Sequence, residues 1–146
     1  MAEPKWITES IVIYIHDDQI AQYGGSYGVL NANLLASALA RPRNLYGYEG
    51  VTSLTRLAAS YGYGLARDAR SLAPFVGAGS HRKNHSFIDG NKRTTFQVMF
   101  AFLRINGLYL DVPEPEVVIT MQQLAKGEID EAELTEWLDK FTSEAS

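Results

Sequence analysis

Four side chains able to do chemistry fall within nine residues, in the stretch His85-Ser86-Phe87-Ile88-Asp89-Gly90-Asn91-Lys92-Arg93. They are His85, Asp89, Lys92 and Arg93. Histidine titrates near neutral pH and can take the proton from an attacking alcohol. An aspartate can hold Mg2+ against phosphate oxygens, and two cations can neutralise charge on a transferred or leaving group. Such a set can run transfer from a nucleotide to a hydroxyl. Each member is also common singly, as a loop histidine, a helix cap or a solvated basic face. What favours function is a broken local rule. Residues 96–105 are almost all apolar and Asn106-Gly107 supplies a stop, so a central helix, buried on nearly all sides, is expected there. With Asp89 or Gly90 as its N-cap, Lys92 and Arg93 fall in the first turn, where the macrodipole is already positive. An anion at that helix end, held by backbone N–H groups and both cations, resolves the conflict.

Two better-known sites do not fit the same residues. Gly90-Asn91-Lys92-Arg93-Thr94 lacks the upstream glycine and the buried strand of a P-loop. His81 and His85 are four apart, as helical zinc ligands are, but HRKNH has no intervening glutamate and no third ligand is evident.

The elements that must position this stretch can be read from the rest of the chain. At 146 residues it fits one domain with a core of its own. The absence of cysteine excludes disulfides, a thiolate nucleophile and Cys-ligated metal. There is no basic leader followed by an apolar run, and no apolar stretch long enough for a bilayer, so a cytoplasmic protein without a membrane role is expected. A net charge of −4 argues against coating nucleic acid, although Arg82, Lys83, Lys92 and Arg93 form a local basic patch.

Helical periodicity predicts a first helix over residues 8–22, with His16 inside it in a structural or surface role, and a turn at 26–30. A second helix begins at Asn31 and ends at Pro42. Residues 42–52 read as a loop or short hairpin with tyrosines in packing roles. A third helix spans 53–70, where Gly62 and Gly64 imply close packing against another helix. Residues 71–84, with Pro74, Gly77 and Gly79, read as a loop or short helix. Pro113 opens a fifth helix that Gly127 stops, and Asp130 with Glu133 forms a capping box for the last. The fold expected is an all-α bundle of about six helices around a central buried helix, with no strand pair.

At His85-Ser86-Phe87-Ile88-Asp89-Gly90-Asn91-Lys92-Arg93 the chain resembles the Fic/Doc superfamily, specifically the Doc (death-on-curing) toxins, whose motif reads His-x-Phe-x-Asp/Asn-Gly/Ala-Asn-Lys-Arg. Every fixed position matches. The similarity also takes in QYGGSYGVLNANLLASALARP, AFLRINGLYL and LAKGEIDEAELTEWL. The resemblance implies a single Fic/Doc domain over 1–146, with the motif in a loop entering the central helix. His85 would be the general base, Phe87 would anchor the loop, and Asp89 would take Mg2+. Gly90 and Asn91 would form the anion hole, and Lys92 and Arg93 would hold the phosphates of ATP. Most Fic enzymes have glycine where Lys92 stands and a second arginine where this chain has Phe96, and they transfer AMP. The Lys-containing Doc branch is instead known for phosphorylating elongation factor Tu on a threonine, which arrests translation.

The implied partners are therefore elongation factor Tu and a Phd-like antitoxin, with nucleic acid reached only indirectly through that antitoxin. No inhibitory Ser/Thr-x-x-x-Glu-Gly-Asn-like helix occurs in the chain, so inhibition would come from a partner. Two departures stand out. Ser86 replaces the usual proline, and residues 68–83 look inserted between YGYGLAR and the motif, as a loop, a longer helix or a hinge for exchange between two copies. Two other readings stay open: nucleotidyl transfer to a protein hydroxyl, and a catalytically impaired binding or regulatory module.

Overall fold

Among the described residues the chain forms six helices: α1 (Glu9–Tyr23), α2 (Ala32–Glu49), α3 (Leu54–Leu72), α4 (His81–Ile105), α5 (Glu114–Lys126) and α6 (Glu131–Phe141). This computed structural model describes the backbone of residues 2–23, 32–72 and 81–145; the side chains of residues 23, 32, 68–72 and 81–91 are not among those described. The expected turn at 26–30 and residues 73–80, half of the insertion-like segment at 68–83, therefore lie outside the described residues. On either side of that segment the backbone is helical, as α3 runs to Leu72 and α4 starts at His81.

The caps explain where the later helices begin and end. Asp130 accepts from the Glu133 N–H at 2.8 Å, and the Glu133 carboxylate accepts from the Asp130 N–H at 3.1 Å, completing the capping box expected for α6. Gly127 closes α5 with φ 75°, a left-handed conformation that glycine adopts without a steric penalty. Gly50 does the same for α2 at φ 69°. Pro42 does not end α2, contrary to expectation. It sits inside the helix and is fully buried, and that burial offsets the hydrogen bond that proline cannot donate. The loop expected over residues 42–52 is therefore helical to Glu49.

α3 and α4 form the middle of the bundle. α3 packs on α2, α4, α5 and α6, while α4 packs on α1, α3 and α5. Leu57, Tyr61, Val98, Met99, Phe102 and Leu103 are fully buried between them and their neighbours. The glycines of α3 serve close approach, as their spacing suggested. A Cβ on Gly62 would stand 2.4 Å from Met99 Sδ, and one on Gly64 3.3 Å from the Ala38 Cβ of α2. α4 is central but not buried on every side: Phe96 and Phe100 are half-buried and Ile105 is exposed.

The chain ends are tied to this core. The Ile7 N–H donates to Tyr61 Oη at 3.0 Å, and burial pushes the Tyr61 phenol up to about 12, partly opposed by that bond and by the Arg43 charge. The Lys5 N–H donates to Asn106 Oδ1 at 2.8 Å, and Asn106 Nδ2 donates back to the Lys5 carbonyl at 2.9 Å. Glu131 at the start of α6 pairs with both Arg41 of α2 and Arg56 of α3. A strand pair also forms that the sequence did not suggest. β1 (Leu108–Leu110) and β2 (Thr142–Glu144) run antiparallel with Tyr109 opposite Ser143. Three residues each are too few to show a period of two, and their pairing depends on α6 returning the chain to Gly107. Among the described residues, no helix is long and apolar enough to cross a membrane.

Candidate active site

The motif lies on a helix, not in a loop. α4 begins at His81, so the backbone of His85 to Arg93 is already helical, and Lys92 and Arg93 stand eleven and twelve residues after the first. The expectation of an N-cap at Asp89 or Gly90, with an anion at a bare helix end, is corrected. Gly90 costs such a helix about 1 kcal/mol relative to alanine, an amount that a ladder running on in both directions absorbs.

Lys92 and Arg93 nonetheless meet in one place. Both are half-buried and both line a cleft of about 420 Å3 between α4 and α5. This volume is within the ordinary range for small-molecule sites. α4 contributes Lys92, Arg93, Phe96 and Gln97; α5 contributes Glu114, Val117, Val118, Met121 and Gln122; α1 reaches in with Gln19. The cleft thus combines two cations and one carboxylate with an apolar wall and three amide side chains. Glu114 is in the first turn of α5, directly after Pro113, where a carboxylate is favoured by the helix dipole. Cations beside an apolar, amide-lined wall suit a ligand with an anionic end and a flat or apolar body.

The back of this arrangement is buried. Thr94 and Thr95 follow Arg93 and are almost fully enclosed, and Thr94 Oγ1 lies 3.2 Å from His16 Nδ1 across the α1–α4 seam. His16 therefore has the structural position expected of it. Phe96 is held in an aromatic row, its ring centroid 6.5 Å from those of both Phe100 and Trp137.

Of the residues singled out from the sequence, the structure brings Lys92 and Arg93 into one cleft. The side chains of His85, Phe87, Asp89 and Asn91 lie outside the described residues, and Gly90 is described only as helical backbone. Among the described residues, no group of three or more His, Cys, Asp or Glu could hold a metal ion. Sequence reasoning missed Gln19, Gln97, Glu114 and Gln122 as lining residues. The spacing of Val117, Val118, Met121 and Leu124 did mark a helix after Pro113, but nothing in the order of residues showed that Val117, Val118 and Met121 would line a cleft with Lys92.

No family model matches the chain. Over 141 residues, 97% of this chain and 98% of the relative, it is 27% identical to the protein kinase Doc of Escherichia phage P1. Over 89 residues, 60% of this chain and 56% of the relative, it is 35% identical to the toxin Doc of Mycolicibacterium smegmatis. Both similarities agree with the resemblance carried by the motif.

Proposed function

We propose that this relative of the Doc proteins is a kinase-type toxin that moves the γ-phosphate of ATP to a hydroxyl of a translation factor, elongation factor Tu, and so arrests translation. The observation that carries the reading is the joint presentation of Lys92 and Arg93 to one cleft of nucleotide-compatible size, in a chain similar along its length to a protein named as a kinase.

In this reading Lys92 and Arg93 bind the phosphates by charge-assisted hydrogen bonds, Arg93 in the bidentate geometry a guanidinium allows. His85 supplies the general base. The target hydroxyl oxygen forms a bond to the γ-phosphorus, the bond to the oxygen bridging to the β-phosphate breaks, and ADP leaves. His85 takes the hydroxyl proton. Asp89 would hold Mg2+, a hard cation that is commonly bound through one or two carboxylates together with substrate phosphates. When bound, Mg2+ would neutralise charge on the phosphates. A Phd-like antitoxin is the proposed inhibitor.

Intact-mass analysis of elongation factor Tu after incubation with the chain, ATP and Mg2+ tests the reading. A phosphate-sized increase supports it. An increase the size of AMP points to nucleotidyl transfer, and no change with a folded, ATP-binding chain points to a binding module.

A further inference from the structure

Two polar side chains occupy buried positions on the face of α1 that meets α4: His16, 4% exposed, and Gln19, 8% exposed. They lie one turn apart between Val12 and Ile20, both buried, on a helix seam where aliphatic side chains are the usual occupants. His16 Nδ1 is 3.2 Å from Thr94 Oγ1. Thr94, itself 3% exposed, immediately follows Arg93, and Gln19 lines the cleft.

A buried polar pair adds little net stability over apolar packing, because desolvation offsets most of its gain. Its distinctive property is direction: a hydrogen bond has a required angle, whereas apolar contacts tolerate sliding. Direction matters at this turn. Successive residues of an α-helix point about 100° apart, so a rotation of α4 by one residue would swing Lys92 and Arg93 away from the cleft. Burial also separates His16 from the cleft contents, as its ring is not part of the lining.

We propose that His16 is a positioning residue for the anion site: its bond to Thr94 sets the rotation of the α4 turn that presents Lys92 and Arg93 to the cleft. Gln19 extends the same face of α1 into the lining. This rests on the reading of the cleft as the ATP phosphate site. A merely structural His16 would change stability and leave nucleotide affinity alone.

ATP affinity by titration calorimetry and melting temperature are measured together on the full chain and its variants. His16→Ala and Thr94→Val each weaken ATP binding about tenfold, the effect of one buried bond, and the double variant is no weaker than the weaker single. His16→Asn, whose amide can occupy the place of Nδ1, stays within about threefold of wild type. Leu138→Ala, in the core of α6, lowers the melting temperature without moving affinity. Wild-type affinity in His16→Ala, strictly additive losses, or a comparable affinity loss in Leu138→Ala overturns the inference. Should His16→Ala fail to fold, Thr94→Val and His16→Asn decide: weak and near-normal binding respectively support it, and wild-type binding by Thr94→Val overturns it. If affinity falls in Arg93→Ala but in neither His16→Ala nor Thr94→Val, only this inference fails. A folded wild type that does not bind ATP overturns the phosphate-site reading with it.

Discussion

Replacing Glu114 by glutamine should tighten ATP binding, because it removes the carboxylate that shares the cleft with Lys92 and Arg93. Glu114 lines the same cleft as Lys92 and Arg93, so a separation on the order of 9 Å, comparable to a physiological Debye length, sets the scale of its repulsion with a phosphate held there. One pair of unit charges at about 9 Å is worth about 0.5 kcal/mol at the dielectric of water and about 2 kcal/mol at an effective value of 20. Glu114 is exposed and the separation is close to a physiological Debye length, so the lower part of that range applies. The expected gain is about two- to tenfold in affinity at low ionic strength, shrinking as salt is added. Glutamine preserves shape and hydrogen-bonding capacity, which isolates the charge. Titration of a fluorescent ATP analogue into wild type and Glu114→Gln at two salt concentrations measures it. Unchanged or weaker binding in the variant at low salt would refute the placement of the phosphates between α4 and α5.

Three further predictions concern the scaffold. The Tyr61 phenol is raised to about 12 in the folded chain against about 10 unfolded, so its stabilising effect is complete below about pH 10 and up to roughly 3 kcal/mol is lost as pH rises from 10 to 12. Denaturant titrations of Tyr61→Phe should show a shallower alkaline loss, with about 1–2 kcal/mol less stability at neutral pH because the Ile7 N–H loses its acceptor. Gly64→Leu should destabilise by roughly 1–3 kcal/mol in the same assay, since even a Cβ there meets Ala38 of α2 at 3.3 Å. Glu131→Ala should cost about 1–2 kcal/mol. It strips Arg41 and Arg56 of a nearly buried partner, but both guanidinium side chains are about a third exposed and water recovers part of the loss.

The parts of this fold that could be read from the sequence are those whose signals are local. Asp130 with Glu133, and Gly127 with the apolar run before it, state a helix start and stop in a few residues, and the structure has both. Gly62 and Gly64 announced a close helix contact because a bare Cα on a helix face has few other uses. Pro42 misled because its local effect, a missing donor, is overridden by its burial in the folded chain, which no local window contains. The start of α4 misled for a similar reason: Asp89 and Gly90 serve as N-caps only if the helix begins there, and it begins at His81. For the candidate site, the sequence identified Lys92 and Arg93 through residue type and motif. The wall facing them, Glu114, Val117 and Met121, is set by how α5 packs on α4. That is a property of the bundle, and it was not legible in the residues one by one.

The central claim is that this motif and cleft transfer the terminal phosphate of ATP. Parallel incubations of the chain with elongation factor Tu, Mg2+ and ATP labelled at either the γ- or the α-phosphate test it most directly. The account predicts label on the factor from the γ-position only, abolished by His85→Ala and greatly reduced by Arg93→Ala. Label arriving from the α-position, or transfer that persists unchanged in His85→Ala, would contradict it.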